Sequence, residues 1–194
     1  PYGFTWSANA SSQTSQTATG LSANTNYTVT ATDANGCAIN NDAGAYSLTQ
    51  PTALVINAPT YSSFNGGYQI SCNGATDGQI TANPSGGVGS YTYLWSATTD
   101  IGSGAQTSQI VTGLTSGSNY DVTVTDANGC TQNASGYTLT EPLALTLSLI
   151  GKVNVDEYGA SNGSIDINVT NFVNTVNYDW TGTNTIDAQE DQSG

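Results

Sequence analysis

Histidine and methionine are absent from these 194 residues, and Lys152 is the only basic side chain. Without histidine the chain lacks the usual base that activates a serine or cysteine, and Lys152 stands in no recognisable motif, which argues against nucleophilic catalysis. Phosphates and anionic lipid headgroups are neutralised by clustered Lys and Arg, so nucleic acid and membrane surfaces are poor partners for this chain. No run approaches the roughly 18 to 20 apolar residues that cross a bilayer, so no membrane insertion is expected. Helical periodicity of useful length is missing too. Only 8% of residues are charged, yet 14 acidic residues set a net charge of -13. The polar surface is therefore mostly neutral Thr, Ser, Asn, Gln and Gly. A hydrophobic fraction of 37% with regular patterning fits a folded chain rather than a disordered one. A single lysine offers a trypsin-like protease one target, which suits an extracellular protein.

What is present is a repeat. In Asn119 to Cys130, "NYDVTVTDANGC", Tyr120, Val122 and Val124 alternate with polar residues, the period of a half-buried strand. Asp126, Asn128 and Gly129 then supply a turn. A near copy, "NYTVTATDANGC", occupies Asn26 to Cys37, with Asp33, Asn35 and Gly36 in its turn. Trp6 to Trp95 spans 89 residues, Trp95 to Trp180 spans 85, Cys37 to Cys130 spans 93 and Pro51 to Pro142 spans 91. A unit of about 90 residues suits a sandwich of roughly seven short strands.

The expectation is an all-β protein of tandem immunoglobulin-like β-sandwich modules arranged end to end as a rod. Residues 1–51 read as the C-terminal half of one module, 52–142 as a complete module and 143–194 as the N-terminal half of a third. Pro1 falls inside a strand pattern with no leader before it, so the chain reads as an interior piece of something longer. Pro51 and Pro142 punctuate the joints and restrict their conformations.

Trp6, Trp95 and Trp180 are expected in module cores. Leu21 and Leu114 each precede a tyrosine, Tyr27 or Tyr120, by six residues, the spacing of a loop that feeds a tyrosine-corner strand. Cys72 and Cys130 lie in the complete module and are expected to pair, closing a loop of about 58 residues. The chain-entropy model assigns such a bond roughly 4 kcal/mol, and it implies an oxidising compartment. The partner of Cys37 would precede Pro1, and Glu157 replaces Cys72 in the third copy. Thiolate metal binding is a poor rival, since there is no CxxC pair.

Asp33 and Asp126 are candidate calcium ligands, because the turn places a carboxylate and an Asn carbonyl near backbone oxygens. The hairpin-turn reading is favoured, since further ligands are missing, and no cofactor is expected. Asp77, Asp100, Asp121, Asp126 and Glu141 are carboxylates that paired could serve glycoside hydrolysis, but their turn and solvent-facing positions argue against an enzyme. Sequons at Asn9, Asn26, Asn133, Asn162 and Asn168 are expected by chance in so Asn- and Thr-rich a chain.

The segments "CNGATDGQI", "SGGVGSYTYLW", "GLTSGSNYDVTVTDANGC" and "YTLTEP" resemble the SprB repeat, found in tandem in very large surface adhesins of gliding Bacteroidetes. The resemblance covers the middle module and the matching halves of its neighbours. It departs in the third copy, where "NVTNFVNTV" replaces the Gly-Gly turn. It implies a secreted adhesin on the outer face of the outer membrane, exported by the type IX route and moved by the gliding machinery. Its partners would be surface polysaccharide or a solid substratum, and it transfers no catalytic residues. Two other readings are a carbohydrate-binding module, with Tyr2, Tyr61, Tyr68 and Tyr91 as stacking candidates, and a structural subunit of a surface filament.

Overall fold

The computed structural model describes residues 2–40, 44–97, 106–180 and 192–193. They divide into two compact units, Pro1–Ala53 and Leu54–Gly194. Among the described residues the regular structure is strand, with short 3-10 turns and no α-helix.

In the first unit, β1 (Gly3–Trp6), β2 (Asn26–Tyr27), β3 (Val29–Thr32), β4 (Ala38–Asn40) and β5 (Tyr46–Ser47) are antiparallel. The main sheet runs β1-β3-β4, and β2 pairs with β5. Thr30 and Thr32 alternate with Val29 and Ala31 along β3, a pattern that suits a pleated, half-covered surface.

In the second unit, six strands span the middle repeat: β6 (Val55–Tyr61), β7 (Gly78–Ser85), β8 (Thr92–Ala97), β9 (Ile110–Leu114), β10 (Tyr120–Thr125) and β11 (Thr131–Tyr137). They form two three-stranded sheets, β6-β7-β9 and β8-β10-β11. Ile80, Ala82 and Val111 from the first sheet and Trp95, Val122 and Val124 from the second belong to one buried cluster with Ile70, Leu114, Tyr120 and Leu139. The period-two alternation of β10 is realised in full, with Tyr120, Val122 and Val124 buried and Asp121, Thr123 and Thr125 half-buried. Burying these side chains supplies on the order of 2 kcal/mol each.

Past Pro142, β12 (Thr146–Val153) pairs with β13 (Ser164–Thr170), and β14 (Gln192–Ser193) joins it in the order β12-β13-β14. This is the order of β6-β7-β9, and the register agrees: Leu147 faces Val169 as Ile56 faces Pro84. The first unit repeats the other sheet in the same way. Trp6 faces Val29 as Trp95 faces Val122, and Thr30 faces Asn40 as Thr123 faces Asn133.

One expectation fails. Cys37, Cys72 and Cys130 are all free and exposed, so the Cys72–Cys130 bond is not formed. Cys72 sits two residues past Ile70, whose N–H donates to the Thr140 carbonyl at 3.1 Å. Cys130 precedes β11, so the 7 residues of that strand separate it from this end of the sheet. At about 3.3 Å per residue the separation exceeds ~20 Å, against the ~4.4 to 6.8 Å between Cα atoms that a disulfide bridges.

Candidate functional site

The residues most strongly marked by the sequence gather at the β10–β11 hairpin tip. Asp126 Oδ1 accepts the N–H groups of Asn128 (2.9 Å) and Cys130 (2.8 Å), and Oδ2 accepts that of Val88 at 2.9 Å. The Ala127 N–H donates to the Val88 carbonyl at 3.1 Å, so the loop after β7 and the hairpin clasp each other. Asp126 is 6% exposed. The Val88 N–H, followed by those of Cys130 and Asn128, holds its carboxyl below the usual carboxylate range against the opposing effect of desolvation. Gly87 must be glycine here, because its φ is +64° and a Cβ would lie 2.7 Å from Asp126 Oδ2.

The Asp33 turn is a close copy: Oδ1 accepts from Asn35 at 2.9 Å and from Cys37 at 2.8 Å. Gly36 and Gly129 close the two turns at φ of 84° and 83°. Asp126 thus takes three amide hydrogens through both oxygens, and Asp33 two through Oδ1. Among the described residues no three His, Cys, Asp or Glu side chains gather as a metal set.

The aromatic residues anchor loops to sheets. Trp95 and Tyr120 are fully buried, as are Leu114 and Tyr27, while Trp6, Leu21 and Trp180 are half-buried. The Tyr120 hydroxyl donates to the Thr115 carbonyl at 3.0 Å and accepts the Thr115 N–H at 2.9 Å. Tyr27 makes the same pair of bonds with Ser22, both at 2.8 Å. The indole N–H of Trp95 reaches the Ser108 carbonyl at 2.9 Å, and that of Trp6 reaches Ser15 at 3.0 Å.

Two glutamines escaped the sequence reading. The Gln106 side chain donates to the Thr112 carbonyl at 2.9 Å and accepts the Thr112 N–H at 3.0 Å. Gln13 does this for Thr19, with 2.9 and 3.1 Å. The signal was present as the shared "QTSQ" at Gln13 to Gln16 and Gln106 to Gln109.

Three further candidate carboxylates accept N–H donors. Asp77 accepts from the Ser71 N–H at 3.1 Å, and its hydrogen bonds to Ser71 lower its pKa. Asp121 accepts from Gly136 at 2.9 Å, where Gly136 takes a φ of 80° in a register shift of the β10–β11 pair. Glu141 accepts from Asn73 at 3.1 Å and from Gly74 at 2.8 Å. Asp100 lies outside the described residues.

The four candidate tyrosines differ in exposure. Tyr2 is 76% exposed just before β1, and Tyr61 is 39% exposed at the end of β6. Tyr68 is half-buried, and the Tyr91 hydroxyl donates to the Gly86 carbonyl at 2.6 Å. The joint after Pro142 borders an open hollow of about 520 Å³ lined by residues that include Cys72, Asn73, Leu145 and Phe172. The Asn73 side chain donates to the Pro142 carbonyl at 3.2 Å, which ties the exit of the middle repeat to its own early loop.

Among the described residues two sheet orders each occur twice, once in the middle repeat and once beside it, which defines a tandem structural repeat. Residues 69–99 match the SprB repeat. That stretch carries Cys72, the Asp77 loop, β7, the Gly86 turn and Trp95. No curated protein matches the chain.

Proposed function

We propose that this chain is a non-enzymatic repeat segment, stalk or adhesive, of a very large secreted cell-surface adhesin that serves surface attachment and gliding motility. The observation that carries the reading is the SprB match at residues 69–99 within a unit whose sheets recur on both sides of it. The reading divides the chain into modules at 1–51, 52–142 and 143–194, each immunoglobulin-like in its sandwich plan and joined end to end as a semi-rigid rod. Short proline joints support stiffness, since proline restricts both itself and the residue before it. A neutral polar surface with one lysine suits reach and durability outside the cell. Polysaccharide or a solid substratum would be touched along the rod or elsewhere in the protein, with the gliding and secretion machinery engaged through other parts.

Small-angle scattering and a glycan array test this together. An elongated particle that leaves the array silent is the expected outcome. A compact particle overturns the rod, and saturable binding of one glycan class shifts the function to a carbohydrate-binding module.

A further inference from the structure

Within the second unit, the middle repeat touches the loop that follows β13. The turn Phe64 to Tyr68 is closed by two backbone bonds, from the Phe64 N–H to the Tyr68 carbonyl at 2.8 Å and from the Gly67 N–H to the Phe64 carbonyl at 3.2 Å. Inside it Gly66 has a φ of 80°, and a Cβ there would lie 3.1 Å from Val173 Cγ1 and 3.0 Å from the Tyr68 ring. The valine methyl therefore rests against bare backbone, a close approach that glycine permits. Val173 is half-buried, although its neighbour Phe172 is exposed. The turn is fastened to the strand that leaves its own repeat. The Gln69 and Ile70 N–H groups donate to the Thr140 carbonyl, both at 3.1 Å, and the Asn73 side chain donates to Glu141 Oε1 at 3.1 Å and to the Pro142 carbonyl at 3.2 Å. From the loop after β13, the Asn171 side chain donates to the Ala144 carbonyl at 2.9 Å. The joint is thus held by one asparagine from each repeat.

We propose that this contact, with Val173 seated on Gly66 and Asn73 and Asn171 clamping the joint, sets the angle between consecutive repeats. Motion between neighbouring modules is the default unless contacts restrain it. Pro142 narrows the conformations open to the joint, and the seated valine selects one of them. The parts recur in the right places. Pro84 faces Ile56 as Val169 faces Leu147, and four residues past these come Val88 and Val173. Two residues past them come Gly86 and Asn171, which share a left-handed φ of 74° and 64°. The middle repeat therefore holds both a seat, at Gly66, and the counterpart of the plug, at Val88, as a joint repeated along a chain requires. The inference rests on the reading of the chain as repeats joined in a semi-rigid rod, and it names what makes the joint stiff.

Amide relaxation and residual dipolar couplings, measured by NMR on the whole chain, read the joint. In the wild type the strands β6 to β11 and the β12-β13 pair should share one correlation time and one alignment tensor, with a nuclear Overhauser contact between the Val173 methyls and the Gly66 Hα. Val173→Ser removes the plug. Asn171→Gly keeps the left-handed backbone and removes one clamp. Each should give β12-β13 a shorter correlation time and a tensor of its own, while unchanged β12-β13 amide shifts show that the sheet is still formed. Val88→Ser makes the plug substitution at the other site and should leave this joint rigid. Pro142→Ala, which keeps the carbonyl that Asn73 clamps, should also leave the single tensor. Separate tensors in the wild type, a missing contact between Val173 and Gly66, or a single tensor that survives both Val173→Ser and Asn171→Gly would each overturn the proposal. Loosening by Pro142→Ala but by neither of those two would overturn it as well and assign the angle to proline. None of these outcomes bears on glycan binding, which tests the adhesin reading separately.

Discussion

At the scale of single residues, Asp126 does the most with the least area. Its carboxylate takes three backbone N–H groups from two segments, so it ties the hairpin to the loop after β7. Asp126→Asn keeps one oxygen but turns an amide NH2 toward a backbone donor, setting donor against donor. The expected outcome is a lower thermal midpoint, measured by circular dichroism. The folded-state pKa is depressed, so the unfolded chain binds the proton more readily as pH falls. Stability from this residue is therefore present above the ordinary carboxyl pKa of about 3.9 and is lost below it, as pH falls toward the folded value. Melting the wild type and Asp126→Asn between pH 7 and pH 2 should show the difference between them shrinking at the acid end. Gly78 is a second sensitive point for a different reason. A Cβ there would lie 2.5 Å from Ile70 Cδ1, 2.7 Å from Leu139 Cδ1 and 2.9 Å from the Leu114 carbonyl oxygen. The carbonyl belongs to the sheet and cannot retreat, so Gly78→Ala is expected to cost roughly 1 to 3 kcal/mol in chemical denaturation.

At the scale of elements, what could be read early and what could not follow from the range of the interactions. The strand at Tyr120 and the turn at Asp126 were legible because alternation and an Asp-to-amide turn act over a few residues. The recurrence at Asn26 to Cys37 was legible for the same reason, and the bond lengths of the two turns agree within 0.1 Å. The Cys72–Cys130 pairing was misread because it depends on which end of the sandwich each loop reaches. That is settled by the direction of β11 and by the ties of Thr140 and Glu141 to residues 69–74, contacts about 70 positions apart in sequence. The Gln13 and Gln106 braces were missed because a polar side chain in a polar loop carries no periodic signal. A thiol titration checks the corrected cysteines. The native, unreduced chain should react with three equivalents of a thiol reagent, one each for Cys37, Cys72 and Cys130. A single reactive equivalent would restore the bond.

At the scale of the whole molecule, stability is expected to be uneven, because among the described residues the middle repeat alone closes both layers over one core. A lone open sheet is marginal in water, and local opening is cheap where few apolar contacts hold a segment. Lys152 is the built-in probe of this difference, since it is the only trypsin site and its side chain is exposed on β12. Exposure alone does not permit cleavage. A protease needs a stretch of free, extended backbone, and Lys152 is paired with Ile165 in the β12–β13 ladder. Cleavage therefore reports how often β12 leaves its neighbour, not how accessible the lysine is. Trypsin should cut the folded chain once, into residues 1–152 and 153–194, at temperatures well below the melting of the middle repeat. Resistance at Lys152 up to the melting temperature of the middle repeat would mean that the third sheet shares the stability of the closed core, and the uneven distribution would be wrong.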